Sequence, residues 1–132
     1  MKRKARMFVV ISLITGFAVL GAGCAGLIIG AGAGAGAIAY IKGESIRTYD
    51  FPMKSVAAAT QKAFSKLGIT PSESNVGEIE STFEGTMKDE SNVSIKLTSK
   101  AEKTTEAKIR VGKIGNETAS QRIHDEILKN LK

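Results

Sequence analysis

The chain has 132 residues, 42% of them hydrophobic, with one cysteine, one histidine and a formal net charge of +6. A lone cysteine excludes an internal disulfide and a metal site built from several cysteines, and the length beyond the apolar N-terminal region holds one small core and no second domain. Lys2, Arg3, Lys4 and Arg6 all precede Met7, so without residues 1–23 the charge falls to +2; the basic balance belongs to the N terminus and is no footprint for nucleic acid.

Met7 to Ile41 carries no formally charged side chain. As one helix it would reach about 52 Å, against the roughly 30 Å of a hydrocarbon layer, so composition has to divide it. Phe8 to Leu20 is bulky and apolar, whereas Ala25 to Ala39 is mostly Gly and Ala. Four cations, an apolar run and then Gly21-Ala22-Gly23 before Cys24 have the layout of a secretory signal with a small-residue cleavage site. Leu20-Gly21-Ala22-Gly23-Cys24 resembles the lipobox of bacterial lipoproteins, in which the cysteine receives a diacylglycerol and the signal is cut before it; that motif carries Leu where Gly21 stands. The resemblance implies lipidation at Cys24 and membrane lipid as a partner, and two or more acyl chains make a stable anchor where one does not. The competing reading is an uncleaved signal anchor. Gly21-x-Gly23-x-x-Gly26 matches a dinucleotide fingerprint in letters only, because Leu27 to Ala39 has no polar face to make the amphipathic helix that motif requires.

Gly26, Gly30 and Gly34 are spaced by four, which on a helix exposes bare backbone for close helix packing in a membrane. Self-association through them is one reading and a flexible tether is another. Tyr40 and Lys42 suit a headgroup boundary. The expected organisation is a signal over residues 1–23, a lipidation site and Gly/Ala-rich membrane-proximal segment over 24–43, and a soluble α+β domain over 44–132.

Within that domain, Ser45 to Phe51 reads as a short strand. After Pro52, the spacing of Val56, Ala59, Ala63, Phe64 and Leu67 predicts an amphipathic helix capped by Gly68. Ile69-Thr70 starts a further strand that Pro71 and Ser72-Glu73-Ser74-Asn75 interrupt. The period then becomes two: Ile79, Ser81, Phe83, Gly85 and Met87 share one face, and Val93, Ile95, Leu97 and then Thr105, Ala107, Ile109, Val111 alternate with polar residues. These three strands predict an antiparallel meander with one buried face. On the other face Glu78, Glu80 and Glu84 come opposite Lys96, with Glu106, Lys108 and Arg110 beyond it, so cross-strand ion pairs are expected. Asn116 or Thr118 caps a last helix with Ile123, Ile127, Leu128 and Leu131 inward. The fold class is therefore α+β, a small antiparallel sheet covered on one face by two helices.

Chemistry is sparse. His124 falls on the solvent side of the last helix in this reading, and Asp125 and Glu126 do not share its face. Glu73, Glu78, Glu80 and Asp89 have no paired acid and base geometry, and the serines and threonines have no partner base. No catalytic residue, cofactor or metal site is predicted, and the chain reads as a non-enzyme.

Nearly the whole chain resembles a family of small bacterial envelope lipoproteins of uncharacterised function. The resemblance rests on the Cys24-Ala25-Gly26 junction, the Gly/Ala run through Tyr40, Lys42-Gly43 with Arg47-Thr48-Tyr49, Leu67-Gly68, Gly77-Glu78-Ile79-Glu80, Thr104 to Gly112, Ile114-Gly115 and Asn116-Glu117. It implies an exported protein, lipid-anchored in the cell membrane or outer membrane, facing the periplasm, and brings no activity or binding residues. A structural or interaction role with an envelope partner leads. A lipid or amphiphile binder, recognisable by an apolar cavity of roughly 300 Å³ or more between helices and sheet, comes next, and a glycine-packed membrane protein on an uncleaved anchor follows.

Overall fold

The computed structural model describes residues 36–132; Cys24, Gly26, Gly30, Gly34 and the signal-like region lie outside the described residues. In chain order the elements are β1 (Ala39–Ile41), β2 (Glu44–Tyr49), α1 (Met53–Leu67), β3 (Thr70–Val76), β4 (Glu80–Thr86), β5 (Asn92–Ala101), β6 (Thr104–Val111) and α2 (Glu117–Leu131). The strands form one sheet in the order β1-β2-β6-β5-β4-β3, antiparallel at every pairing. α1 carries the chain from β2 to the far edge, and β3 to β6 then walk back until β6 closes against β2.

This is the expected α+β architecture with a wider sheet. The predicted meander is β4–β5–β6, and its register makes one continuous inner face: Phe83 lies opposite Ile95 and Ile95 opposite Ile109, while Leu97 lies opposite Ala107. Both helices cover that face and pack on each other. Their apolar stripes, Val56, Ala59, Ala63 and Phe64 on α1 and Ile123 and Ile127 on α2, complete the core with Tyr49, Val93 and Val111. α1 ends as predicted, with Gly68 in the left-handed region and its amide turned back on the Ser65 carbonyl. Asn116 caps α2 by accepting from the Ala119 amide at 3.0 Å.

Three sequence expectations change. The polar stretch after Ile69 is a strand, β3, and not an interruption. It is an edge strand with every residue exposed, where Pro71 withholds no hydrogen bond the sheet needs, and the register slips between Pro71 and Glu73. Ile79 does not join the inner face: β4 begins one residue later, Ile79 stands in the turn with its carbonyl accepting from Ser99, and its side chain is 74% exposed. β1, inside the stretch assigned to the membrane-proximal segment, pairs with β2 as an outer strand.

The outer face carries one of the expected cross-strand ion pairs, Lys96 with Glu80 at 3.0 Å, and adds Lys100 with Glu106 at 3.4 Å and Arg110 with Glu44 at 3.9 Å. The register also sets Lys96 directly opposite Lys108, and their neighbouring glutamates offset that repulsion. These exposed pairs contribute about 0 to 1 kcal/mol each and make a solvated surface.

Gly85 sets how closely α1 approaches the sheet. A Cβ there would lie 2.7 Å from the Thr70 carbonyl oxygen and 3.0 Å from the Phe64 ring. Gly85→Ala should therefore cost about 1–3 kcal/mol in urea denaturation by overpacking, while Glu84→Ala, next to it on the exposed side, should stay within about 0.5 kcal/mol of the parent.

Candidate functional site

Two places concentrate polar chemistry or open space: the seam between α2 and β2, and a cleft where α1 begins. On the seam, alternation along β2 turns Ser45, Arg47 and Tyr49 toward the helices, and α2 answers with Ser120, His124 and Asp125. His124 is fully buried, against the expectation of a solvent-facing position. It shares the buried stripe Ser120, Ile123, His124, Ile127, the i, i+3, i+4, i+7 pattern of a helix face, and β2 supplies the partners that make a histidine tolerable there.

Hydrogen-bond roles in this cluster follow from chemistry. A carbonyl oxygen only accepts, so His124 Nε2 carries the proton and donates to the Ser45 carbonyl at 3.0 Å. In the neutral ring Nδ1 is then the acceptor, and it accepts a hydrogen bond from the Tyr49 hydroxyl at 2.8 Å; the His124 carbonyl lies 3.2 Å from the same hydroxyl. Arg47 borders the pair. Its Nη1 is 3.2 Å from Asp125 Oδ1, its Nε donates to the Gly36 carbonyl at 3.1 Å, and its guanidinium carbon stands 5.9 Å from the Tyr49 ring centroid. One arginine thereby joins the lead into β1, β2 and α2.

Burial pushes the His124 imidazole down from 6.5 to about 4; the Ser45 hydrogen bond and Asp125 work against that shift, and Arg47 works with it. Burial raises the Tyr49 hydroxyl well above its ordinary value, so it stays protonated as a donor. Both ring nitrogens are thus occupied and sealed from solvent, and the cluster is suited to fixing α2 on the sheet, with no surface left for a substrate. Two further hydroxyls on the seam, Ser45 Oγ and Ser120 Oγ, are buried without a partner among the described residues. Sequence reasoning missed the cluster; the signal was the alternation of Ser45, Arg47 and Tyr49 together with Ser120 and His124 four apart.

The cleft has a volume of about 560 Å³ and opens at the end of the sheet where α1 begins. Pro52, Met53 and Val76 give it an apolar wall, and Lys54, Glu78, Ser99 and Glu102 ring it. Pro52 offers no side-chain cap and the first turn of α1 has no acid, so that helix end is left uncovered beside the opening. The volume exceeds the threshold set for an amphiphile site, but the space lies at the end of the two layers and not between them. Among the described residues, no group of three or more His, Cys, Asp or Glu side chains is placed to hold a metal ion, and no helix is long and apolar enough to cross a membrane.

A family model described as a protein of unknown function (DUF3568) matches residues 7–130. No curated protein matches the chain.

The seam makes a pH prediction. The unfolded chain takes up a proton on His124 below about pH 6.5 and the folded chain does not until about pH 4. The contribution is therefore complete above the higher value and disappears as pH falls through the window, about 3 kcal/mol in all. Urea midpoints of the parent should fall between about pH 7 and about pH 4.5, and His124→Gln should flatten that slope. Tyr49→Phe, which leaves Nδ1 without its donor, should cost about 1–3 kcal/mol at neutral pH in the same assay.

Proposed function

The chain belongs to the DUF3568 family, a family of unknown function, and from that premise we propose that it is an exported bacterial envelope lipoprotein, held in the cell membrane or outer membrane by acylated Cys24 and presenting residues 36–132 to the periplasm as an interaction domain. The observation that carries this reading is the order of features at the N terminus: four cations, the apolar run Phe8 to Leu20, Gly21-Ala22-Gly23 and the one cysteine. The described residues begin at Gly36, twelve positions after Cys24. A stretch of that length spans roughly 40 Å at most, so an anchored domain stays close to its membrane. An interaction role is supported by the outer face of the sheet, which none of the described elements covers and which carries paired charges, and by the exposed edge strand β3.

A second reading, capture of an amphiphile, is favoured by the cleft beside Met53 and Val76, whose volume of about 560 Å³ suits a small apolar ligand. It requires that Val76→Asp abolish binding of a fluorescent fatty acid by the purified protein.

The deciding measurement for the anchor is intact mass and membrane fractionation of protein from its native cells, beside Cys24→Ser. A chain beginning at Cys24 with added acyl mass, lost in the variant together with membrane association, is the expected result. A full-length unmodified chain would sink this reading and bring forward an integral anchor packed through Gly26, Gly30 and Gly34.

A further inference from the structure

Thr70 to Thr86, which is β3, its turn and β4, contains four glutamates and no Lys or Arg. Among the described residues, Glu80 alone of the four has a cation within ion-pair distance, Lys96 at 3.0 Å. The register sharpens the imbalance. Glu73 lies directly opposite Glu84, and Glu84 opposite Ser94, so the first cation along that row is Arg110 on β6, which Glu44 and the Lys42 carbonyl already hold. Like charges directly opposite on neighbouring strands weaken the pairing. The other edge of the sheet is unlike this one: β1 is three residues long, and Lys42 and Lys113 stand beside it, joined by Arg110, which donates to both of their carbonyls.

β3 is last in the sheet order, seven residues long and exposed throughout. Pro71 and the slip before Glu73 spoil its first part as a template, but Glu73 to Val76 pair with β4 in unbroken register. In such a run alternate residues turn their N–H and C=O away from β4, where no described strand takes them. Side chains alternate as well. Glu73, opposite the exposed Glu84, is on the outer face of the sheet; Val76, opposite the buried Ser81, is on the inner face, where it lines the cleft with Met53. A strand laid along Glu73 to Val76 meets unpaired acid on one face and, three positions on, an apolar wall on the other.

Resting on the interaction-domain reading, and independent of how Cys24 is processed, we infer that Glu73 to Val76 is a docking edge for an extended basic segment of a partner protein, which adds a strand to the sheet beyond β3. A Lys or Arg of that segment stands beside Glu73 and Glu84, and an apolar side chain three positions away enters the cleft beside Val76. A second copy of this chain is not the occupant, because β3 against β3 would bring the Glu73 and Glu84 pairs of both copies together.

The probe is a fluorescein-labelled nine-residue peptide in which Lys alternates with Thr and one Leu replaces the Thr three positions after a Lys. It is titrated into the full-length chain in detergent micelles, with anisotropy as the readout. Glu73→Lys should weaken binding about tenfold. Glu90→Lys, the same change of charge in the β4–β5 turn, should leave it within about twofold of the parent. Both side chains are exposed, so circular dichroism should show the parent fold. Two further peptides, N-methylated at one or the other set of alternate residues, test the backbone pairing: one set of amides points at β3 and the other away, so one peptide should lose binding and the other keep it. No binding of the parent peptide, the same behaviour from both methylated forms, or full binding to Glu73→Lys overturns the inference. A photoreactive residue at Asn75, or at Thr98 on the outer face, in the native cells separates the two levels. If the peptide fails, a protein captured at either position leaves the interaction reading standing and removes this inference alone, whereas capture at neither removes both.

Discussion

A buried imidazole between two backbones constrains much of this domain. His124 donates to the Ser45 carbonyl and accepts from Tyr49, so a donor and an acceptor on β2 have to meet two nitrogens of fixed geometry on α2. An unpaired polar group at such depth costs about 1–3 kcal/mol, and that penalty makes the register of α2 on the sheet specific where apolar contacts alone tolerate sliding. β2 is also the strand that β6 closes against and that β1 extends. The helix, the closing strand and the start of the domain therefore depend on one strand whose inward face is polar at Ser45, Arg47 and Tyr49.

Away from the seam the packing is apolar and ordinary. Phe83, Ile95, Leu97 and Ile109 fill the space beneath the helices, and the edge-on contact of Phe64 with Phe83, 6.4 Å between centroids, ties α1 to β4. Gly85 lets α1 come down close enough to make that contact. The outer face carries offset Lys and Glu side chains, which suit a sheet face that none of the described elements covers. Sheet edges are restrained in different ways: β1 is three residues long, while β3 carries Pro71, a register slip and only polar side chains up to Val76.

Function in this reading is a matter of placement. The cleft, Val76 and Ile79 share one end of the sheet with Gly36, and Tyr40, Ile41 and Ile114 are exposed at the other end. The histidine cluster lies on the seam between α2 and β2 and lines no part of the cleft.

The amino-acid sequence by itself determined the elements whose signal is local. Periodicity of two gave β4 to β6 and their inner faces, helical spacing gave α1 and α2, and Gly68 and Asn116 marked their ends, because backbone geometry writes those patterns into neighbouring residues. It also carried the charge, apolar run and cysteine from which the anchor is argued. Only tertiary structure decided the rest. The polar stretch Thr70 to Val76 is a strand because β4 offers it an edge, and Ile79 is exposed because β4 begins after it. His124 is internal because Tyr49 and Ser45, 75 and 79 residues away, supply its hydrogen bonds. A histidine on a helix looks polar and therefore external until its partners are known, and partners that far apart in the chain leave no periodic trace in either segment.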